Sequence, residues 1–499
     1  MNLSRIVERW ADLCPEHVAI HFQREDIVYA ALWRRVEAAT LRLASLGIHQ
    51  GDRVAYLGLN HPELLAILFA CARLGAMLVP LNFRLARAEH EDILAHADPS
   101  VLVADADFTA HTESMRKRFP LVKLVGLQSP PDGWFAWEGP SPSGFEPKLP
   151  GTDTDPVLIV YTSGTTGKPK GVVHTQAALL WNIVNATLHQ DVTSRDHVLT
   201  ALPMFHVGGL CIQTLPALHA GATVTIHPRF DAGAWLRDVA VRRPTLSLLV
   251  PATMRAVFTH PAWPATDLAS LRELHTGSST IPESFFAPFH ARGVPVGQVY
   301  GATETGPVSI CLRADDAMRK VGSAGKAAVH CEIRLVDASG RDVPPGEVGE
   351  IWVRAPNLMS GYWKGPDHAD FQHGWFHTGD LARRDEEGYY WVVGRAKDMI
   401  VSGGENVYPA EVENVLADCE EVAEAAVVGV PDPEWGEAVV AAIVKRPGST
   451  VDESAVRRLF EGRLARFKHP RRVVFVDSLP KSALGKVQKG ELRKTVAAG

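Results

Sequence analysis

The sequence predicts an α/β fold, in which a large N-terminal domain of βα-layered subdomains and a β-rich subdomain precedes a small α+β C-terminal domain. Three observations support this prediction. Helical stretches alternate with short apolar runs over residues 26–127 and again from Val157 to about residue 330, a rhythm typical of mostly parallel sheets. A β-rich section with many turns follows. After Gly394 the chain carries an apolar pattern of its own, and 499 residues exceed what one compact core holds. The predicted domains are residues 1–394 and 395–499.

The first βα region contains three apolar runs that predict strands: VAYLGL (54–59), MLVPL (77–81) and SVLVADA (100–106). The most apolar stretch, residues 64–81, is interrupted by Arg73, Gly75 and Pro80. A membrane span needs ~20 largely uninterrupted apolar residues, so this stretch predicts a buried helix followed by a strand. Residues 129–156 are rich in Pro, Gly and Ser and predict a surface connection.

The second half of the chain begins with three strand-like runs, CEIRLVD (331–337), GEIWVRA (349–355) and YYWVVG (389–394). A helix is expected to begin at Pro409, because proline suits the first helical turn. Two apolar strands (423–430 and 438–444), a helix over about 452–466 and a polar tail complete the prediction.

Composition and charge exclude several classes of protein. Hydrophobic residues make up 46% of the chain and charged residues 22%, which is typical of a globular chain rather than a disordered one. The net charge of −6 argues against binding of nucleic acid, which normally needs a basic surface. Six scattered cysteines without a C-x-x-C pair argue against disulfides or zinc and favour reduced, mostly buried thiols in the cytoplasm. The N-terminus lacks the apolar core of a signal peptide, and no transmembrane segment is predicted.

The strongest local signal is LIVYTSGTTGKPKG (158–171), an apolar strand that runs directly into a loop rich in glycine, hydroxyl groups and lysine. Such a loop can turn backbone N–H groups, hydroxyls and ammonium groups towards a polyphosphate. It is not the P-loop of ordinary NTPases, because only two residues separate its glycines and Pro169 follows Lys168. A plain surface loop is the alternative interpretation. The candidate phosphate-binding residues are Thr162, Ser163, Gly164, Thr165, Thr166, Gly167, Lys168 and Lys170.

Six motifs in a fixed order carry a resemblance to a known family. They are YTSGTTGKPKG (161–171), LPMFHVGG (202–209), VYGATETG (299–306), WFHTGD (375–380), GRAKDMIVSGGENVYPAEVE (394–413) and LPKSALGKVQKGELRK (479–494). With these motifs the chain resembles the adenylate-forming superfamily, and within it most closely the bacterial fatty acyl-CoA and feruloyl- or 4-coumaroyl-CoA ligases. The resemblance covers essentially the whole chain. It implies an enzyme that uses ATP, Mg²⁺ and coenzyme A to convert a carboxylic acid first to an acyl-adenylate and then to an acyl-CoA.

The resemblance also implies roles for residues around the nucleotide. Glu304 would bind magnesium with Thr162, and Thr303 would contact the α-phosphate. Asp380 and Arg395 would bind the ribose. The adenine would lie against Tyr300 and a wall that includes Gly277, Ser278, Ser279 and Gly301. Gly277-Ser278-Ser279 differs from the family's usual Gly-Gly-Ala-Pro or Gly-Ser-Ala-Pro, which leaves the adenine contacts of the two serines open.

For the two half-reactions, the resemblance implies that Lys486 bridges the attacking carboxylate and the α-phosphate. On its own, the segment around Lys486 also fits a basic C-terminal tail. The small domain would then swing about Lys397, and Ser402, Gly403 and Gly404 would line the path of the pantetheine arm. The catalytic set implied in this way is Lys486, His206, Thr303 and Glu304.

The identity of the acid is the least determined feature. The resemblance assigns the acyl pocket to Phe205, His206, Gly208, Gly209, Gly301 and Gly306, with His206 as a gate and with Gly208 and Gly209 leaving room for the acyl group. Arg255 is interpreted as an exposed helical arginine, not as a cation of the pocket. The acid is expected to be a medium- or long-chain fatty acid or an aryl acid such as a hydroxycinnamate. Transfer to a carrier-protein thiol, a non-catalytic binding protein and a homodimer remain open alternatives.

Overall fold

The computed structural model describes residues 1–139, 147–162, 169–277, 281–365, 371–482 and 485–497. The strands in the first part of the chain are β1 (Val18–Phe22), β2 (Glu25–Val28), β3 (Arg53–Leu57), β4 (Met77–Leu81), β5 (Val101–Ala104), β6 (Lys123–Gly126), β7 (Phe135–Ala136), β8 (Pro156–Thr162), β9 (Lys170–Thr175), β10 (His197–Thr200), β11 (Thr223–Ile226), β12 (Leu246–Leu249), β13 (Glu273–Gly277), β14 (Val296–Tyr300), β15 (Ile310–Cys311) and β16 (Lys326–Ala327). The later strands are β17 (Glu332–Val336), β18 (Val348–Arg354), β19 (Gly361–Tyr362), β20 (Phe371–Gln372), β21 (Trp375–Arg384), β22 (Tyr390–Arg395), β23 (Ile400–Ser402), β24 (Glu405–Val407), β25 (Val422–Asp432), β26 (Gly436–Lys445) and β27 (Arg472–Phe475).

The helices connect and cover these strands. They are α1 (Arg5–Leu13), α2 (Tyr29–Ser45), α3 (Pro62–Leu74), α4 (Arg87–Ala97), α5 (Thr109–Met115), α6 (Gln176–His189), α7 (Val207–Gly209), α8 (Leu215–Ala220), α9 (Ala232–Arg242), α10 (Pro251–Phe258), α11 (Ala287–His290), α12 (Ala314–Ala317), α13 (Pro409–Ala417), α14 (Glu453–Arg458) and α15 (Lys489–Ala497).

Two large sheets form the N-terminal domain, and both contain runs of parallel strands. One has nine strands in the order β16-β15-β14-β13-β12-β10-β11-β1-β2, and the other has eight in the order β19-β9-β8-β4-β3-β5-β6-β7. The pairs β3–β4, β3–β5 and β5–β6, and the pairs from β11 to β14, are parallel. The largest apolar cluster contains α3 and residues from both sheets. These observations confirm the predicted α/β class.

A third sheet, of five strands, contains β17, β18, β20, β21 and β22, and is antiparallel. A fourth sheet, formed by β23–β27, makes up the smaller C-terminal domain. The first three sheets carry the strands whose ends supply most of the predicted nucleotide residues.

Several local predictions are confirmed and two are wrong. The apolar stretch 64–81 forms the buried helix α3 followed by β4, and α13 begins at Pro409. The helix expected over 452–466 ends at Arg458, because the chain bends into turns that insert Phe460 fully into the core of the C-terminal domain. The expected polar tail instead contains β27, which pairs in parallel with β26, and α15, which packs against β25.

The predicted surface connection 129–156 is more deeply anchored than expected in its described part. The indoles of Trp134 and Trp137 are buried, and their N–H groups donate to Glu113 and Glu63 at 2.7 and 2.9 Å. All six cysteines are free: four are buried, Cys419 is half-buried and Cys14 is exposed. Among the described residues, no helix combines the length and apolarity that a membrane crossing requires.

Strand β13 buries an acid and a histidine that the sequence analysis did not consider. Glu273 Oε1 lies 3.2 Å from His275 Nε2, and both side chains are shielded from solvent. Burial raises the pKa of Glu273 to about 8 and lowers the pKa of His275 to about 3. Both shifts favour the neutral forms, so at neutral pH we treat this contact as a neutral acid–imidazole pair, not as an ion pair.

Candidate active site

An irregularity in strand β21 directs Asp380 towards Tyr300 and Arg395, into a buried cluster of side chains that we call the cleft. The pairing register with β18 shifts between Glu350 and Trp352, opposite the Thr378-Gly379-Asp380 segment. Gly379 has a φ of 68°, a left-handed conformation that glycine adopts without strain. Its N–H donates to Glu350 at 3.0 Å, and the N–H of Asp380 donates to the Thr378 hydroxyl at 3.0 Å. The bulge therefore holds the Asp380 carboxylate in a fixed, buried position.

Two side chains bind the Asp380 carboxylate. The Tyr300 hydroxyl donates to Oδ2 at 2.9 Å, and Arg395 Nε lies 2.9 Å from Oδ1. Tyr300 ends β14, whereas Arg395 faces Asp380 across the β21–β22 pair. Burial raises the pKa of Asp380, and Arg395, Tyr300 and Lys486 oppose this rise. The result is a carboxylate that is already paired with a cation and has acceptor capacity left for a ligand.

The strand ends beside Tyr300 are too closely packed for a side chain. A Cβ on Gly277 would lie 2.5 Å from the carbonyl oxygen of Val299, and one on Gly301 would lie 1.9 Å from that of Pro307. Both glycines were predicted to lie near the nucleotide. These backbone contacts explain why neither residue has a side chain: Gly277 lets β13 approach β14, and Gly301 lets the chain after β14 fold back against Pro307.

Lys486 lies in the same cleft although it is more than a hundred residues from Asp380 in the chain. Ser482 N–H donates to the Lys486 carbonyl at 2.8 Å, Gly485 N–H donates to the Ser482 carbonyl at 2.8 Å, and Gly485 has a φ of 80°. This turn presents the lysine ahead of α15. Much of Lys486 is exposed to solvent. Its ammonium group, however, is surrounded by protein, and the resulting loss of hydration is the main reason why its pKa is lowered.

The charges around Lys486 identify its neighbours. The Arg395 guanidinium lowers the pKa of Lys486 further, whereas the carboxylates of Asp380 and Glu304 raise it. Burial lowers the pKa of His206 to about 4, and the positive charge of Lys486 contributes to this shift. The structure therefore brings together five predicted residues from five separate sequence motifs: His206, Glu304, Asp380, Arg395 and Lys486.

His206 is neutral and its tautomer is defined by a backbone contact. The Gly208 N–H donates to His206 Nδ1 at 3.0 Å, so Nδ1 is the acceptor and Nε2 carries the proton. With a pKa of about 4, the imidazole stays uncharged at neutral pH. His206 can therefore donate a hydrogen bond beside Lys486 without adding a second positive charge.

Glu304 is held by an aromatic residue that the sequence analysis did not identify. The Tyr362 hydroxyl donates to Glu304 Oε1 at 3.2 Å, and the Lys170 ammonium lies 4.6 Å from the centre of the Tyr362 ring. Tyr362 is in β19, which pairs with β9 directly after Lys170. The end of the predicted phosphate loop and the predicted magnesium carboxylate are thus joined through Tyr362.

The remainder of the phosphate loop is only partly described. Thr162 ends β8 and pairs with Lys170 at the start of β9, so the loop joins two antiparallel strands. Ser163, Gly164, Thr165, Thr166, Gly167 and Lys168 lie outside the described residues, as do Ser278 and Ser279 at the predicted adenine wall. Their assignments remain predictions.

Thr303 and Gly306 have structural partners within the YGATETG motif. The Thr303 carbonyl accepts a hydrogen bond at 2.8 Å from Nε2 of the fully buried His174. Gly306 has a φ of 69°, and a Cβ there would lie 2.3 Å from the Asn357 carbonyl oxygen. These contacts fix the short turn that carries Glu304.

The predicted acyl pocket is only partly supported. Phe205 is buried and packs edge-on against Phe83, with ring centres 5.4 Å apart. The expectation that Gly209 leaves room for the acyl group is wrong, because a Cβ there would lie 2.3 Å from the Pro203 carbonyl oxygen and would point into backbone. A Cβ on Gly208 would meet the His206 ring at 3.1 Å. A side chain at position 208 would therefore meet the His206 ring first.

The predicted hinge and coenzyme A residues lie after β22. Lys397 is exposed, within a short 3₁₀ turn (Ala396–Asp398) between β22 and β23. Ser402 ends β23, and Gly403 and Gly404 form the turn into β24. The Gly403 N–H donates to the Trp435 carbonyl at 2.8 Å, and a Cβ on Gly403 would lie 2.9 Å from the Trp435 ring.

Sequence reasoning missed Tyr362 and the Trp435–Arg471 pair, and it misinterpreted Arg255. Tyr362 lies in a short Gly-Tyr strand without a strong local signal. The Trp435 ring is covered by the Arg471 guanidinium at 3.4 Å, a contact between distant parts of the chain. The interpretation of Arg255 as an exposed arginine is wrong: it is half-buried and its guanidinium donates to the backbone carbonyl of Ala423.

Comparisons with known proteins identify the family. The model of the family described as AMP-binding enzyme matches residues 7–363, and that of the AMP-binding enzyme C-terminal domain matches residues 411–486. An indoleacetate–CoA ligase of Aromatoleum aromaticum is 49% identical over 503 residues, covering 100% of this chain and 98% of the relative. A feruloyl-CoA synthase of Amycolatopsis sp is 42% identical over 488 residues, which cover 97% of each chain.

A solved structure agrees with the sequence matches. The anthranilate CoA ligase AuaEII in complex with anthranoyl-AMP superposes with a TM-score of 0.92 at 28% identity, covering 100% of this chain and 98% of that one. The family models together span most of the chain, and the relatives match it from end to end. The chain therefore belongs to the AMP-binding enzyme family, and it is an AMP-forming acyl-CoA synthetase.

Proposed function

We propose that the protein joins an aromatic monocarboxylic acid to coenzyme A in two steps, through an acyl-adenylate. The observation that carries this proposal is the contact of Asp380 with Tyr300 and Arg395, both at 2.9 Å, within the electrostatic reach of Glu304 and Lys486, and of Lys486 with His206. Two cations, two carboxylates and a neutral imidazole suit a reaction in which a carboxylate must approach a polyphosphate.

In the first step, a carboxylate oxygen of the acid attacks the α-phosphorus of ATP, and the bond to pyrophosphate breaks. Asp380 accepts hydrogen bonds from the ribose hydroxyls while Arg395 and Tyr300 hold it in place. Lys486 stands between the two reacting anions and stabilises the charge that develops between them. Burial removes water from the Lys486 ammonium group and lowers its pKa, and a cation that has lost part of its hydration interacts more strongly with the developing negative charge.

The residues around Glu304 fit the magnesium ion that the family resemblance implies. Glu304 is half-buried, and within the described part of the chain it accepts a hydrogen bond from Tyr362, which leaves carboxylate lone pairs for a hard cation. When bound, Mg²⁺ would neutralise phosphate oxygens, with Glu304 and Thr162 as its protein ligands. The Tyr362 hydroxyl fixes the orientation of the carboxylate, and Lys170 contributes charge on the phosphate side.

In the second step, the sulfur of coenzyme A attacks the acyl carbon, AMP leaves, and the thiol proton passes to solvent. Lys486 has to vacate the cleft first. We propose that residues 395–499 rotate as a unit about Lys397, and that the Ser402-Gly403-Gly404 turn then lines the approach of the pantetheine arm. The exposure of Lys397 between two sheets supports this assignment.

The proposal of an aromatic acid rests on two observations. The relatives at 49% and 42% identity are ligases of indoleacetate and ferulate, and the structural neighbour holds anthranoyl-AMP. Next to His206, the Phe83–Phe205 pair offers aromatic edges and faces for an aromatic acid. Because His206 is neutral, it does not provide a cation that would favour an acid with a second carboxylate.

A panel of acids tests the proposal. Pyrophosphate release and acyl-CoA formation should be measured with indole-3-acetate, ferulate, anthranilate, octanoate, palmitate and acetate, each with and without coenzyme A. We expect the largest kcat/KM with an aromatic acid, a single turnover of pyrophosphate without coenzyme A, and continuous turnover with it. A higher kcat/KM with octanoate or palmitate would contradict the aromatic assignment.

Two further outcomes separate the alternatives. Pyrophosphate release that coenzyme A does not accelerate, but a carrier-protein thiol does, would assign a different acceptor. No release with any acid would favour a non-catalytic binding protein. Light scattering decides independently between a monomer and a homodimer.

A further inference from the structure

Arg255 connects the two domains. It lies in α10 of the N-terminal domain, and its guanidinium donates to the backbone carbonyl of Ala423 at the start of β25 in the C-terminal domain. The same guanidinium lies 5.2 Å from the centre of the Phe285 ring, which is itself buried. Phe285 therefore orients Arg255 from the N-terminal side before the C-terminal domain is in contact.

The Ala423 carbonyl is available because of a β-bulge. The β25–β26 register runs regularly from Glu424 to Asp432, but it shifts between Val422 and Glu424, which leaves Ala423 without a cross-strand partner. A bulged residue does not take part in the ladder, so its carbonyl can accept from outside the sheet. The acceptor for Arg255 is thus fixed in the backbone of the C-terminal domain.

Two charged groups near Arg255 act on its guanidinium in opposite directions. Burial lowers the pKa of Arg255 most; Arg446, which follows β26, lowers it further, whereas Glu424 raises it. Glu424 is already paired with Lys481 at 2.6 Å. The contact therefore has the strength of one charge-assisted hydrogen bond with a cation–π support, which is enough to bias an equilibrium and weak enough to be broken in each catalytic cycle.

We infer that Arg255 is a positioning residue that holds the C-terminal domain with Lys486 in the cleft, and so supports adenylation but not thioester formation. The inference rests on the proposed two-step function. The same C-terminal domain presents Lys486 beside His206 and Asp380 while Ala423 meets Arg255. A rotation that withdraws Lys486 also carries Ala423 away from α10, so the contact exists in one arrangement only.

The test compares the half-reactions of Arg255→Ala with those of a matched control. Acyl-AMP formation is measured as single-turnover pyrophosphate release, and thioester formation as acyl-CoA production from synthetic acyl-AMP. We expect Arg255→Ala to slow the first by roughly tenfold, the scale of one charge-assisted hydrogen bond, and to leave the second unchanged or faster. Arg255→Lys, which keeps a charge and a donor, should recover part of the loss.

Arg292 provides the control because its chemistry is the same but its contacts stay within one domain. Its guanidinium donates to the carbonyls of Trp263 and Thr266 and lies 5.0 Å from the centre of the Trp263 ring. Arg292→Ala should lower Tm without changing the ratio of the two half-reactions. Equal loss of both half-reactions in Arg255→Ala, or a ratio equal to that of Arg292→Ala, would overturn the inference.

A second measurement does not depend on catalysis. Lys397 is exposed in the turn between β22 and β23 and offers a site for trypsin. Arg255→Ala should be cut in this segment several times faster than the parent at a temperature where both are folded, and Arg292→Ala should not. Unchanged cleavage would overturn the inference, whereas absence of acyl-AMP in the parent would contradict only the proposed function.

Discussion

Replacing Asp380 by Asn tests the nucleotide site at its most closely defined point. The substitution preserves shape and removes the charge. In the parent, the carboxylate accepts from Tyr300 and pairs with Arg395, both at 2.9 Å, and its side chain is 12% exposed. An asparagine keeps one acceptor oxygen, but its NH₂ group would face either the Arg395 donor or the ribose hydroxyls.

The expected loss follows from these contacts. A hydrogen bond to a charged group contributes about 1.5–3 kcal/mol, whereas one between neutral groups contributes about 0.5–1.5 kcal/mol. For two ribose hydroxyls the difference is about 2–3 kcal/mol, which corresponds to a roughly 30- to 150-fold higher KM for ATP. Arg395 is 49% exposed, so water can solvate it once its partner is neutral. We therefore expect Tm to change by roughly 4 °C or less.

ATP–pyrophosphate exchange and calorimetric binding of AMP measure this effect, with Asp385→Asn as the control. Asp385 follows the same strand and pairs with Lys320 at 2.8 Å, away from the Asp380 cluster. Its replacement should leave the KM for ATP unchanged. A KM for Asp380→Asn within about threefold of the parent, or an equal rise in Asp385→Asn, would refute the assignment of Asp380 to the ribose.

The affinity for AMP should depend on pH differently in the parent and in Asp380→Asn. Burial raises the pKa of Asp380, so protonation on acidification begins at a higher pH than for an ordinary aspartate. Only the ionised form is a pure acceptor. The affinity of the parent for AMP should therefore fall earlier as the pH is lowered, whereas the affinity of Asp380→Asn should stay nearly constant. A parallel fall in both proteins would assign the titration to another group.

Four further predictions address the remaining features. Lys486→Ala should slow acyl-AMP formation by about 10²–10³ while thioester formation from synthetic acyl-AMP changes far less; equal losses would give Lys486 another role. Lys397→Pro should trap the protein after one burst of acyl-AMP, because proline fixes φ yet fits the first turn where this residue lies; parental turnover with coenzyme A would exclude the hinge. Gly208→Tyr should displace His206 and lower kcat/KM for every acid, and a selective loss of long acids would instead support a pocket beyond Gly208. Glu273 carries a proton in the folded protein up to a pKa of about 8, compared with 4.5 ordinarily, so stability should decline as the pH rises between these values; Glu273→Gln should flatten this decline in a thermal melt.

The fold class was predictable because buried parallel strands leave strong apolar runs. The α3–β4 unit is an example: its apolar stretch is too interrupted for a membrane and too long for a single strand. The helix expected over 452–466 failed because its apolar periodicity also fits a series of turns that bury Phe460. Periodicity reports which residues are buried, but not which backbone path buries them.

The site could be predicted where a residue's role depends on its own side chain, and not where it depends on backbone packing. Asp380 and Lys486 were identified from motifs, and the structure brings them into one cleft. Gly209 was misinterpreted because a glycine in a motif can mean either free space or close backbone approach. Only the position of the Pro203 carbonyl distinguishes these two cases.

Arg255 is an extreme case of the same limit. Its partner is a main-chain carbonyl, so residue 423 can be alanine or almost any other residue without loss of the contact. What matters is the bulge between Val422 and Glu424, and a bulge is a property of the pairing register between two strands, which neither strand's sequence specifies alone. For such a contact only the donor is a specific side chain, here an arginine stacked on Phe285. Because a lone helical arginine is ordinarily a surface residue, the domain contact becomes visible only when the two domains are seen together.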